Sequence, residues 1–528
     1  MDNATTPVID VLVVGAGPAG LTLACDLARR GKTLRVIDRL AEAPTSTRAR
    51  GLSPRSLEIF ENLGVLTELS AYAEPSLPWL IYGPDNQPKE MEIASASAAS
   101  AAPTPDQPYR NFLHVSQRYT DAVLRDCLSS YGQQVEWDCQ LLAFKEHATH
   151  IEAEVMHAGT REVILARYLV GCDGGHSAVR KSADISFEGS VLREKPAILA
   201  NVRVNGLSPE HWHFWKDAQP EPAWELALNP VVRQDTWFFF ATNISPDEHG
   251  ELPAPTLETL QRLFDERAGI PGVHFSHLTW FSLYQASARL AGRYRSGRMF
   301  LAGDAAHVGI IGGQGMNTAI QDAFNLSWKL AHVLDGAPDA LLDTYEAERL
   351  PVARRFLEAT SARPAAPASS DGEQAMARHL EMIAQLFMLG LTYRGSSLAR
   401  DLGASTTLQA GDRGPDAPCT LAASGETVRL FDLLRGSHWT LLAFGDQPAP
   451  DLPAPCKDLV RTYSIIRPGS GLTTDERTVI DSEGHAFRAY GIADHALILL
   501  RPDGYIGLTS ASVAAEPVID YLRTVIGL

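Results

Sequence analysis

Residues 11–20 read Val-Leu-Val-Val-Gly-Ala-Gly-Pro-Ala-Gly. The apolar run Val11–Val14 has the character of a buried parallel strand. Gly15, Gly17 and Gly20 follow at GxGxxG spacing. The first glycine permits a tight turn, the second lets the backbone approach a pyrophosphate, and the third lets a helix pack closely on the strand. That helix is predicted over Ala19–Arg30, with Gly31 ending it. Its N-terminal N–H groups and dipole favour phosphate charge. A second apolar strand, Leu34–Ile37, runs into Asp38, and an acid about twenty residues on accepts hydrogen bonds from a ribose. The reading is a dinucleotide-binding unit, and these residues alone do not separate NAD from FAD.

Length and composition bound the rest. A chain of 528 residues holds about two to four domains. Its 46 basic and 63 acidic residues give a net charge of −17, which speaks against nucleic acid or an anionic membrane as partner. The start, MDNATTPVID, has no basic, apolar leader, and no run reaches the roughly eighteen apolar residues of a membrane span. A cytoplasmic protein is expected. The six cysteines form no CxxC pair and suggest neither a zinc site nor a disulfide framework. HExxH and GxSxG are absent, so no metal and no hydrolytic nucleophile is expected.

Along the chain, Met91–Pro105 is low in complexity and reads as a loop. A helix is predicted around Arg118–Tyr131 and a small β-meander over Val135–Leu169. Strand-like stretches at Ala197–Val204, Ala223–Leu228 and Asp235–Thr242 mark a second, sheet-rich region from Phe187 to Thr279. A long helix is expected over Met316–Leu334, a linker at Arg363–Gly372 and a helix around Gln374–Leu391. From about Gly403 a separate β/α unit follows, with strands near Trp439–Phe444 and Ala496–Arg501. Aromatic side chains concentrate in the middle region. Trp224, Trp237 and Phe239 are the candidate wall for a flat ligand, Trp237 and Phe239 sharing one face of a strand.

Four segments then carry a family resemblance: GAGPAG with Asp38, CDGGHSAVR at Cys172–Arg180, GRMFLAGDAAH at Gly297–His307, and GGQGMNTAIQDAFNLSWKLA at Gly312–Ala331. In this order they resemble the single-component, FAD-dependent aromatic hydroxylases, the class that includes p-hydroxybenzoate hydroxylase. AGDRGPDAP at Ala410–Pro418 and LLRPDGYIG at Leu499–Gly507 are similar to its phenol hydroxylase and aromatic polyketide hydroxylase branch. The resemblance implies an α/β fold with a Rossmann-like FAD domain (1–186 and 280–362). It implies also a β-sheet substrate domain (187–279), a linker and helix (363–402), and a thioredoxin-like domain (403–528). That last unit is expected to be redox-inactive, since Cys419 and Cys456 lie far apart in sequence.

The resemblance further implies a cofactor-binding set: Gly15, Gly17, Pro18, Ala19, Gly20, Asp38, Arg39, Arg48, Gln117, Asp173, Gly174, Arg180, Gly303, Asp304, Gly313, Gly315, Met316 and Asn317. Asp304 would accept from the flavin ribityl hydroxyls. The GGQGMN segment would offer backbone N–H groups near flavin N1 and C2=O, where reduction places negative charge. NADPH or NADH would reduce FAD, and the reduced flavin with O₂ would give a C4a-hydroperoxide that hydroxylates a small phenolic or polyketide-type aromatic substrate. A homodimer is one assembly seen in such relatives. Baeyer–Villiger oxygenation or epoxidation on the same fold is an alternative, as is an FAD-holding redox sensor. A flavin halogenase is disfavoured because WxWxIP is absent. Two departures stand out. No proline occurs in Val308–Gly312, and Arg50 occupies the place of an acid in phenol hydroxylases. Being always charged, Arg50 cannot serve as a base, but it can contact an anionic or accepting substrate group.

Overall fold

The strand ahead of the glycine turn, Val8–Val14, is the centre of the first sheet, flanked in parallel by Leu34–Ile37 and Thr160–Gly171. The computed structural model describes residues 7–45, 49–83, 86–91, 102–191, 195–216, 224–246, 250–285, 287–309, 314–361, 387–403, 405, 407–472 and 475–528. Met299–Leu301 adds in parallel beyond Thr160–Gly171, and Val135–Glu136 beyond Leu34–Ile37. Val11, Leu12 and Val13 are fully buried, as strands covered on both faces must be. Helix Pro18–Arg29 follows the turn, with Pro18 in its first turn, where the missing N–H costs nothing. It packs against helix Gln314–Leu334.

A buried acid fastens those two helices. Asp26 accepts from Arg29 Nε at 2.5 Å, Arg30 Nε at 2.9 Å and Ser327 Oγ at 2.5 Å. Burial alone would raise its pKa, but the two guanidinium groups outweigh burial and hold it at about 2. Its folded value lies below the unfolded one. The stabilisation is therefore complete above about pH 4 and is lost as pH falls through about 2. Asp26→Asn should cost about 2 kcal/mol at pH 7. In denaturant titrations the gap from wild type should close on acidification, and a gap that stays constant with pH would contradict the assignment.

The middle sheet runs in the order His274–Tyr284, Ala197–Asn205, Thr236–Ala241, Glu225–Val231, Trp212–Lys216, Trp79–Tyr82, Pro88–Met91. It is thus larger than the expected 187–279 span, because Trp79–Tyr82 enters from the first domain and pairs in parallel with Trp212–Lys216. The strand His274–Tyr284 also runs past 279. Helix Leu257–Arg267 covers one face of this sheet, burying Leu260, Leu263 and Phe264.

In the C-terminal unit, Trp439–Phe444, Val460–Ile466 and Thr478–Ile480 run parallel, and Ala496–Leu500 and Ile506–Ser510 complete the centre of the sheet antiparallel. Trp439 is fully buried and meets Trp328 of the 314–334 helix edge-on, ring centroids 5.5 Å apart, so this unit is packed directly on the first domain. The expected linker at 363–372 and most of the expected 374–391 helix lie outside the described residues. No described helix is long and apolar enough to cross a membrane.

Candidate active site

The motifs, far apart in sequence, meet at the C-terminal ends of the parallel strands. Gly15 has φ +107°, and a Cβ there would lie 2.4 Å from the Cys172 carbonyl oxygen. Only glycine fits between the first turn and the Cys172–Arg180 segment. Gly303 has φ +62° and lies under Ala19 of the first motif and Ala319 of the 314–334 helix. The GDAAH turn therefore docks on the start of both helices.

This cradle fits a dinucleotide. A Cβ on Gly17 would meet nothing within 4 Å, and helix Pro18–Arg29 has no side-chain cap and no acid in its first turn. Its N-terminal N–H groups are left for an anion. Gly174 and Gly315 also face open space. One oxygen of Asp173 accepts from the Ala178 and Val179 N–H groups, while Oδ1 is buried with no partner among the described residues. The 314–334 helix likewise has no acid in its first turn, which suits a charge that turns negative on reduction. Among the expected residues, Pro18, Ala19 and Met316 line the two helix starts, and Asp304 is exposed at the GDAAH turn.

Several expected residues are engaged with protein. Asp38 accepts from Ala16 N–H and Leu40 N–H, both at 2.9 Å, so it ties the glycine turn; Arg39 is exposed beside it. Arg180 donates to the carbonyls of Ala305 at 2.7 Å and Gly175 at 2.8 Å and lies 3.7 Å over Phe187. It clamps the GDAAH turn. Asn317 accepts from Ser53 N–H and Ser56 Oγ and donates to the Gly51 carbonyl, joining the long helix to the segment that carries Arg50. Gln117 opens helix Gln117–Ser130 and donates to Asp121 at 3.3 Å. Arg48 and Gly313 lie outside the described residues.

The aromatic wall needs correction. Phe239 is fully buried and meets Phe275 edge-on, and Phe275 packs in turn on Phe264 of the covering helix. Trp237 lies in the same buried cluster, and Trp224 packs against it under Arg267. All three belong to the helix-covered side. Strand alternation puts Trp79, Trp212, Phe214, Asn229, Phe238 and Phe240 on the opposite face, away from helix Leu257–Arg267.

Arg50 reaches that face. Its Nη2 donates to Glu74 Oε2 at 2.8 Å and to the Pro230 carbonyl at 3.1 Å, with the guanidinium 5.9 Å over Trp212. Sequence reasoning missed Glu74, which supplies an acid from a different loop and carries no motif. Burial raises the Glu74 pKa, against the pull of Arg50. His114 stands edge-on to Trp212, and burial, then Arg50, lower its pKa to about 4, so it is neutral at pH 7. Asn229 Oδ1, Trp79 Nε1, Trp212 Nε1 and Glu74 Oε1 are buried polar atoms with no hydrogen-bond partner among the described residues.

Two other features carry no catalytic geometry. Glu136, Cys139, His157 and Glu162 bring ligand-type atoms within 4.8 Å of one another, but Arg35 already bridges the two carboxylates at 2.5 and 2.6 Å. Cys419 and Cys456 are both buried, and burial pushes the Cys419 thiol up to about 12.

Comparison with known proteins agrees with this geometry. A family profile described as "FAD binding domain" matches residues 8–360. A flavin-dependent monooxygenase of Mycobacteroides abscessus is 37% identical over 522 residues, covering 98% of this chain and 100% of its own. The pentachlorophenol 4-monooxygenase of Sphingobium chlorophenolicum is 30% identical, with 94% of this chain and 93% of that one covered. The structure of an aklavinone-11 hydroxylase with FAD and aklavinone superposes with a TM-score of 0.79 at 27% identity, covering 100% of each chain.

Proposed function

Because this chain belongs to the FAD-binding-domain family of flavin-dependent aromatic monooxygenases, we propose that its own substrate is a flat, oxygen-bearing, multi-ring phenol of polyketide type. The enzyme uses FAD, NAD(P)H and O₂. When bound, FAD would supply the redox and oxygen-activating chemistry. The protein contributes binding, orientation and exclusion of water.

The observation that carries the substrate reading is the face of the middle sheet away from helix Leu257–Arg267. Trp79, Trp212, Phe214, Phe238 and Phe240 offer ring-sized apolar area, with unpartnered polar atoms of Asn229, Trp79 and Trp212 among them. Buried polar atoms without partners are costly unless a ligand satisfies them. A polycycle with peripheral hydroxyl and keto groups would do both. One structural relative holds FAD and aklavinone together. Arg50, fixed by Glu74, would donate to a substrate oxygen, and neutral His114 would offer a second polar contact. The C-terminal unit, with its buried thiols, is read as a thioredoxin-like structural element without redox activity.

Holoenzyme should oxidise NAD(P)H faster with multi-ring phenols than with single-ring ones. Product mass should rise by one oxygen, drawn from labelled O₂. Stimulation by single-ring phenols alone would overturn the substrate class. Arg50→Ala should raise the apparent substrate KM about tenfold or more, the value of one lost charge-assisted hydrogen bond. FAD content should stay at wild type. Unchanged substrate kinetics, or loss of the flavin, would refute the role.

A further inference from the structure

The 314–334 helix carries a polar row, Thr318, Asp322, Asn325 and Lys329, that is buried rather than solvated. Its partners come from helix Ala340–Ser361 and from the C-terminal unit. Glu348 accepts from Arg501 at 2.6 and 3.0 Å, Lys329 at 2.8 Å, Asn325 at 2.8 Å and Ser396 at 2.8 Å. Arg501 also holds Asp503 at 3.0 and 2.5 Å, and Asp503 accepts from Trp328 Nε1 at 3.1 Å. The next residue on the same helix, Arg349, donates to Asp322 at 2.7 Å and to the Tyr393 hydroxyl at 2.9 Å. Asp322 in turn accepts from Gly303 N–H at 3.1 Å and from His307 Nε2 at 2.6 Å, gripping both ends of the GDAAH turn. Arg501 lies 5.4 Å over the Tyr393 ring, which closes the path.

We propose that Arg501 and Asp503, in the C-terminal unit, are positioning residues for the flavin, acting through Glu348, Arg349, Tyr393 and Asp322 on the Gly303–His307 turn. Two ionic groups meet at Tyr393: Asp503, Arg501, Glu348 and Lys329 on one side, Arg349 and Asp322 on the other. Charges so deeply buried tolerate no missing partner, so each fixes the next. Gly303 is wedged between Ala19 and Ala319 with its N–H on Asp322, so a shift of Asp322 moves the turn and the Asp304 it carries. The RPDG segment thereby acquires a function that a distant packing loop would not have. The inference rests on the reading that this turn holds the flavin.

The test uses full-length Arg501→Met, Arg501→Lys and Tyr393→Phe. Three properties are measured: FAD affinity of the apoprotein, the absorbance and midpoint potential of the bound flavin, and apoprotein melting. Arg501→Met should weaken FAD binding at least tenfold and move the flavin spectrum and potential. Arg501→Lys, which keeps the charge but loses the two-pronged contact, should recover part of each. Tyr393→Phe removes one hydroxyl at constant shape and should weaken FAD several-fold, which keeps the test open if Arg501→Met does not fold. A lowered melting temperature with FAD affinity, spectrum and potential at wild-type values would reduce the network to packing and overturn the proposal. Gly17→Ala serves as control. If it too binds FAD normally, the cofactor-site reading fails; if it alone loses FAD, only the positioning role fails.

Discussion

Gly17→Ala should separate folding from cofactor binding: the apoprotein melts close to wild type, yet FAD binds at least tenfold more weakly. Gly17 has φ −81° and ψ −176°, which alanine adopts freely, and its Cβ would enter open space. Substitutions without a clash or lost partner usually change stability by no more than about 0.5 kcal/mol. With cofactor present, the methyl group occupies the approach of the pyrophosphate, and a tenfold loss corresponds to about 1.4 kcal/mol. Gly20→Ala should behave in the opposite way. Its Cβ would lie 2.0 Å from the Gly15 carbonyl oxygen, a backbone atom that cannot yield cheaply. A cost of about 3 kcal/mol or more is expected, the upper range for overpacking. Melting of both apoproteins and titration with FAD check the pair. Equal stability losses in the two variants would contradict the geometry.

Phe239→Ala and Phe240→Ala, neighbours on one strand, should give equally distinct results. Phe239 is fully buried against Phe275, so its truncation should cost about 3–5 kcal/mol, as large-to-small changes in cores do. Phe240 is only half-buried, on the face away from helix Leu257–Arg267. Its truncation should cost about 1 kcal/mol or less and raise substrate KM instead. Denaturant unfolding and steady-state kinetics, run together, distinguish them. If Phe239→Ala is the kinetic variant and Phe240→Ala the unstable one, the two faces have been assigned the wrong way round.

That pair also shows where sequence reading succeeds and where it stops. Gly15, Gly20 and Gly303 are legible because each answers a local backbone demand, a positive φ or a contact no Cβ survives. Strands such as Ala496–Leu500 are legible because burial on both faces leaves a continuous apolar run. The alternation in Trp237-Phe238-Phe239-Phe240 declares two faces, but both are aromatic, so it cannot tell which one helix Leu257–Arg267 covers. Trp79–Tyr82 joins the middle sheet from more than a hundred residues upstream of its partner strand, a long-range pairing with no local signature. Glu74 gains its meaning only from Arg50. Asp322, Asn325 and Lys329 have the spacing of a solvated helix face, and burial is possible because Glu348, Arg349 and His307 deliver their partners. Arg180 matched a cofactor motif, yet its guanidinium is consumed by two carbonyls and a ring.

The interlocked charges also bear on recombination between homologous parents. Composition suggests a natural seam at 363–372, just after the segment matched by the family profile ends at 360. A crossover there would unite Glu348 and Arg349 of one lineage with Tyr393, Arg501 and Asp503 of another, mixing halves of one ionic lattice. A junction before Gln314 keeps both helices with the C-terminal unit that neutralises them. Gene libraries shuffled at the earlier point should yield more folded, flavin-loaded chimeras than libraries shuffled at the seam.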